Sequence, residues 1–139
     1  MKILHKTALA LVLACSFPNA AESQAQQQLS LACIGSAQSS IPDEKPEPKE
    51  PISMGIVLNF ATRTVPGFDY PIMIKDANDA TVAFGGNHQS RSLESIIEGY
   101  IDRVTGDSEA IEVLFDHAAS KTQSMKSYKL QCKPTQRLL

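Results

Sequence analysis

Cys33 and Cys132 are the residues whose type and placement most directly permit a covalent step. In an oxidising compartment two thiols give up two electrons and join as a disulfide. Neither belongs to a C-x-x-C, so thiol–disulfide catalysis has no support. His88 and His117 are the only histidines beyond the first 21 residues. With scattered acids they make no metal set, and both read as surface loop residues. Asp76-x-Asn78 opens like a calcium loop. Thr81 then stands where the loop needs glycine, and Asn87 where it needs a bidentate glutamate, so turn chemistry is the expectation. Gly85-Gly86-Asn87-His88 lacks the strand, spacing and helix of a phosphate loop. There is no G-x-S-x-G, and neither histidine sits in a nucleophile motif. Asp102 and Arg103 are adjacent and would face opposite sides of a strand, each bonding a turn backbone or a cross-strand charge. Arg103, with its rigid fork of donors, is the one candidate for a ligand contact. These residues predict no catalytic site, no metal and no cofactor. The expectation is a protein that is not an enzyme.

The compartment is legible at the N-terminus. Lys2, His5 and Lys6 form a positive start, and Thr7 to Phe17 an apolar run that Pro18 ends. The run is shorter than the roughly 20 apolar residues of a membrane-spanning helix and has the order of a signal peptide. Residues 1–21 are assigned to it, with cleavage between 20 and 25. Val12-Leu13-Ala14-Cys15 also loosely resembles a lipobox, which would make Cys15 a lipidated N-terminus. Residues 22–28, rich in glutamine, read as a flexible lead-in. The expected location is periplasmic or secreted, with a lipoprotein anchored through Cys15 as the alternative.

The mature chain is then about 115 to 120 residues, the size of one domain. Without Lys2 and Lys6, eleven basic residues face fifteen acidic ones, a net charge of −4. A mildly acidic, unclustered surface argues against nucleic acid and anionic membranes as partners. No second apolar segment predicts a span, and a monomer is expected.

The elements that would position these residues read as strands. Leu29, Leu31 and Cys33 alternate onto one face. Residues 39–51, charged and proline-rich, predict an exposed loop. Ile52 to Arg63 is the clearest strand, with Ile52, Met54, Ile56, Leu58 and Phe60 on one face. Val65-Pro66-Gly67-Phe68 predicts a turn. Ile72 to Lys75 and Thr81 to Phe84 form a hairpin around Asp76–Asp79, and Gly85-Gly86-Asn87 ends it. Leu93 to Val104 fits either a helical stripe or a strand. The following Arg103-Val104-Thr105-Gly106 suits a hairpin loop with Gly106 in the left-handed position, which favours the strand, with Ala110 to Phe115 as its partner. His117 to Gln123 reads as a loop. Met125 to Cys132 closes the domain, with Tyr128, Leu130 and Cys132 on one face, and Pro134 stops it.

The predicted fold is all-β: an antiparallel β-sandwich or small barrel of about seven short strands, one disulfide joining first and last strands. The single β-domain spans 29–134, and 135–139 is a tail.

Asn59-Phe60, Arg63-Thr64-Val65-x-Gly67-Phe68, Val82-x-Phe84-Gly85-Gly86, Ile101-Asp102-Arg103-Val104-Thr105-Gly106 and Tyr128-x-Leu130-x-Cys132-Lys133-Pro134-Thr135-Gln136-Arg137 carry a resemblance. Together they resemble a group of small exported bacterial proteins of uncharacterised function. The resemblance implies an envelope or secreted domain with one disulfide. It brings no activity, cofactor or catalytic residue. The Ser90-Arg91-Ser92-Leu93-Glu94-Ser95-Ile96-Ile97 approach departs from it. Three functional expectations follow, in order. The first is a non-enzymatic domain that binds or inhibits another envelope protein, which an exposed apolar patch would favour. The second is a small-molecule or lipid binder using the interior of a small barrel, which a deep apolar cavity would favour. The third is a hydrolase, which a cleft with perturbed carboxylates or His88 would favour.

Overall fold

The computed structural model describes residues 27–66 and 70–135. The expected signal peptide, Cys15, the Gly67-Phe68 half of the expected turn and residues 136–139 lie outside the described residues. Seven strands follow one another: β1 (Gln28–Ser40), β2 (Glu50–Asn59), β3 (Met73–Ala77), β4 (Thr81–Ser90), β5 (Leu93–Asp102), β6 (Asp107–Asp116) and β7 (Lys121–Pro134). They form one antiparallel sheet in the order β2-β1-β7-β6-β5-β4-β3. Beyond β2, Thr64 bridges Asn59 on one side and Met73 of β3 on the other. Among the described residues, no helix is long and apolar enough to cross a membrane.

Alternation gives the sheet one inner face. Leu31 and Cys33 (β1), Ile56 and Leu58 (β2), Ile74 (β3), Val82 and Phe84 (β4), Ile97 and Ile101 (β5), and Leu130 and Cys132 (β7) are buried in one cluster. Both edge strands contribute to it, so the sheet curls round a shared core. Each such side chain contributes roughly 1.5 to 3 kcal/mol on burial, enough in sum to fix the strand register. Glycine makes the curl possible at Gly99, where a Cβ would meet the Phe84 ring, 2.6 Å away.

Cys33 and Cys132 lie directly opposite each other in the β1–β7 ladder and are bonded, with Cα atoms 4.0 Å apart. Cys132 donates its N–H away from β1, to Gly106 O at 2.8 Å. The pair is therefore a non-hydrogen-bonded one, where facing side chains come closest.

Several boundaries differ from the sequence reading. Gly85-Gly86-Asn87 does not end β4, which continues to Ser90. A Cβ on Gly86 would strike the Pro71 backbone, so the glycine is there to let the incoming chain cross the strand. The proline-rich loop is shorter than 39–51, because β1 runs to Ser40 and β2 begins at Glu50. Pro51 is tolerated inside β2 because that strand is a sheet edge. Ile52–Arg63 is not one strand: β2 stops at Asn59, where Thr64 folds back onto it. Asp76 belongs to β3 and the turn starts at Asn78, whose Oδ1 accepts the N–H groups of Ala80 and Thr81, both at 2.8 Å. His88 is not a loop residue but lies in β4. The expected 117–123 loop contracts to a turn at 117–120 because β7 starts at Lys121. Leu93 to Asp102 is strand β5, paired residue for residue with β4, and contains no helical turn.

Candidate functional site

Strand β6 turns Ser108, Ala110 and Glu112 towards the interior, where they meet Tyr128 and Leu130 of β7 and Ile97 of β5. Phe84, Met54 and Ile56 come from across the curled sheet, and Tyr70 from the segment before β3. These residues line a cavity of about 220 Å³. Its apolar lining is interrupted at Ser108 and at one place where several polar groups converge.

That place is Glu112. Its Oε1 accepts hydrogen bonds from Ser95 Oγ at 3.1 Å and Tyr70 Oη at 3.3 Å, and its Oε2 accepts one from Tyr128 Oη at 3.2 Å. Tyr70 Oη and Ser95 Oγ also lie 3.3 Å apart; with one proton each, neither donates to the other while both donate to Glu112. Three neutral hydroxyls therefore converge on one carboxylate. None of the ion pairs among the described residues includes Glu112. Its basic cross-strand neighbour, Lys126, sits with its ammonium over the Tyr128 ring, 5.6 Å from the centroid. His88 stacks on Tyr70, with ring centroids 5.9 Å apart. Deeper in, Ser108 is buried and donates to Tyr100 O at 2.9 Å.

The tyrosines register this setting. Burial, and then the Glu112 charge and hydrogen bond, push the Tyr128 hydroxyl up to about 12 from its usual 10.0. Burial likewise raises Tyr70, against the opposing effect of the Ser95 hydroxyl and with the help of Glu112. A tyrosine whose pKa is higher folded than unfolded contributes stability that is fully present below pH 10.0 and is lost as the pH rises towards 12. Alkaline unfolding of Tyr128→Phe should therefore be flatter than wild type in this window. Thermal melts in steps across it check this, and parallel curves for the two proteins would refute the assignment.

The residues singled out from sequence lie elsewhere. Gly106 has φ +82° and closes the β5–β6 hairpin by donating to Asp102 O at 2.8 Å. Asp102 Oδ1 accepts the N–H groups of Val104 and Thr105, both at 2.8 Å, and these bonds hold its carboxyl below the usual range. Arg103 donates to Asn78 O at 2.7 Å and lies over the Phe60 ring at 5.7 Å. It fastens the β5–β6 turn to the β3–β4 turn. His117 sits in the β6–β7 turn, with Nε2 2.8 Å from Glu94 Oε2. Glu94 is held below the usual range by Asn87 first and His117 second. Among the described residues, no three His, Cys, Asp or Glu side chains come together to hold a metal ion.

On the outer face, Ile96, Tyr100, Ile111 and Val113 of β5 and β6 line a shallow groove that also includes Glu98, Glu109 and Lys129. Ile111 is 51% exposed. The sequence reading did not single out Glu112, Tyr70 or Ser95. No family model, curated protein or solved structure matches this chain.

Proposed function

We propose that this domain binds a small molecule inside its curled sheet, with the apolar part among Met54, Ile56, Phe84 and Leu130 and a cationic or donor head at Glu112. The observation that carries this reading is a carboxylate met by three hydroxyls in the wall of a cavity of about 220 Å³ whose other lining residues are apolar apart from Ser108. Such a pocket, largely apolar with a few convergent polar groups, is the common form of a ligand site. A dry cavity of about 150 Å³ accommodates benzene, so this one has room for a ring bearing a short chain. The three hydroxyls give Glu112 no cationic partner, and Oε2, which accepts a single bond, retains a free lone pair. A protonated amine satisfies both. One carboxylate and three hydroxyls orient a ligand without supplying a nucleophile–base pair, so binding is preferred to hydrolysis.

Calorimetric titration with 2-phenylethylamine tests the reading, with ethylbenzene and phenylacetate as controls. The amine should bind at one site, and Glu112→Gln should weaken it at least tenfold, about 1.4 kcal/mol, while leaving ethylbenzene unaffected. Phenylacetate binding as tightly as the amine would sink the proposal.

A second reading is that the domain binds another envelope protein through its outer face. The exposed Ile111 and Tyr100 beside Val113 support it, because apolar groups grouped on a soluble surface mark contact sites. It takes precedence if the three probes leave the cavity empty and a photo-crosslinker at position 111 traps one defined envelope protein.

A further inference from the structure

The two edges of the sheet differ in how they are guarded. β3 is five residues long, is irregular between Ile74 and Asp76, and is covered in part by Thr64. Short length, bulges and charge are the usual protections of an edge. β2 has ten residues, and from Ile52 to Leu58 it carries no charge, no proline and no register shift.

The hydrogen bonds show which groups of β2 are left over. Asn59 donates to Thr64 O at 2.9 Å and accepts from Thr64 N at 3.0 Å, so its backbone groups point away from β1. In an antiparallel strand this direction alternates. Val57, Gly55 and Ser53 therefore point the same way. Thr135 N donating to Ser30 O at 2.9 Å agrees, because Ser30 faces Val57 and spends its carbonyl on the other side. Among the described residues, no backbone or side-chain partner meets Ser53, Gly55 or Val57 on the open side. Pro51 falls on the same parity, where its missing N–H costs nothing.

We infer that this edge pairs with the same edge of a second copy of the chain, antiparallel about a two-fold axis at Gly55. In that register Ser53 faces the partner's Val57, Gly55 faces the partner's Gly55, and Val57 faces the partner's Ser53. All three unpaired residues then form reciprocal hydrogen-bonded pairs. The ladder ends on each side beyond Val57, because Thr64 already fills the place beside Asn59 and the partner's chain, which has a proline without a donor at Pro51, must turn away there. The outer-face side chains at the seam are small, and a Cβ at Gly55 would meet nothing closer than 3.9 Å. On the inner face Met54 meets the partner's Ile56. No charge of β2 lies opposite a like charge. An isologous contact of this kind closes on itself as a dimer. Its area is that of a single strand pair, which makes it a reversible association. It departs from the monomer expected from the sequence, and it does not depend on the cavity reading.

Sedimentation velocity of the mature, oxidised chain across micromolar to millimolar concentration tests it. Wild type should pass from monomer to dimer, and Gly55→Pro should remain monomeric with an unchanged circular dichroism spectrum. Because Gly55→Pro can disturb folding, a second pair of variants fixes the register. Ser53→Lys and Val57→Glu should each dimerise less than wild type when alone, and should form a heterodimer when mixed. A wild type that stays monomeric throughout, or dimers that survive Ser53→Lys and Val57→Glu separately without mixed pairing, would overturn the inference.

Discussion

Cys132→Ser is expected to lower the melting temperature of the oxidised domain by about 10 °C or more. The bond joins residues separated by 99 positions. In the chain-entropy model, opening a loop of that length returns about 4.7 kcal/mol of freedom to the unfolded chain, less any relief of native strain. The bond also spans the β1–β7 ladder, the contact by which the first strand joins the last. β2 reaches the rest of the sheet through β1, apart from the Thr64 bridge. Loosening β1 from β7 thus threatens two strands, not one. Both cysteines are buried, so the paired Cys33→Ala/Cys132→Ala variant separates loss of the cross-link from burial of a hydroxyl. Differential scanning calorimetry of wild type, both variants and wild type with reductant makes the measurement. If all four melt within two or three degrees, the disulfide is not the staple described here.

Gly106→Val should be the most damaging single change outside the core, lowering stability by roughly 2 to 4 kcal/mol. Two costs combine. At φ +82° a β-branched residue is in a region open in practice to glycine. A Cβ there would also strike the Cys132 carbonyl, while Gly106 O must stay in place to accept from Cys132 N at 2.8 Å. Relieving the clash pulls the hairpin turn from β7 beside the disulfide. Gly106→Ala keeps part of the strain and the same clash, so it should fall between wild type and valine. Urea unfolding of the three proteins gives the order. Gly106→Val unfolding at the wild-type midpoint would show that the turn tolerates another conformation.

The class of fold and its staple were legible in local residue patterns. Period-two alternation through Ile52–Leu58 and Tyr128–Cys132 is local information, and each buried side chain on such a face favours one register. The hairpin at Asp102–Gly106 was legible for the same reason: its glycine and capping aspartate act on neighbours within four residues. Two cysteines in matching faces of terminal segments named their own pairing. Boundaries were less legible where a distant chain set them. Gly86 looks like a strand end in sequence, and only the passage of Pro71 across it explains a glycine inside β4. The candidate site was the least legible part. In β6 the apolar residues Ile111, Val113 and Phe115 alternate with Ala110, Glu112 and Leu114, so hydrophobicity alone would turn Glu112 outwards. The curl of the sheet reversed that choice. Cross-strand pairing with Ile97 of β5 places Glu112 on the inner face, and hydroxyls 17, 42 and 16 residues away in sequence make it tolerable there. A carboxylate becomes an interior group only when such partners arrive from other strands, and that convergence exists in the tertiary structure alone.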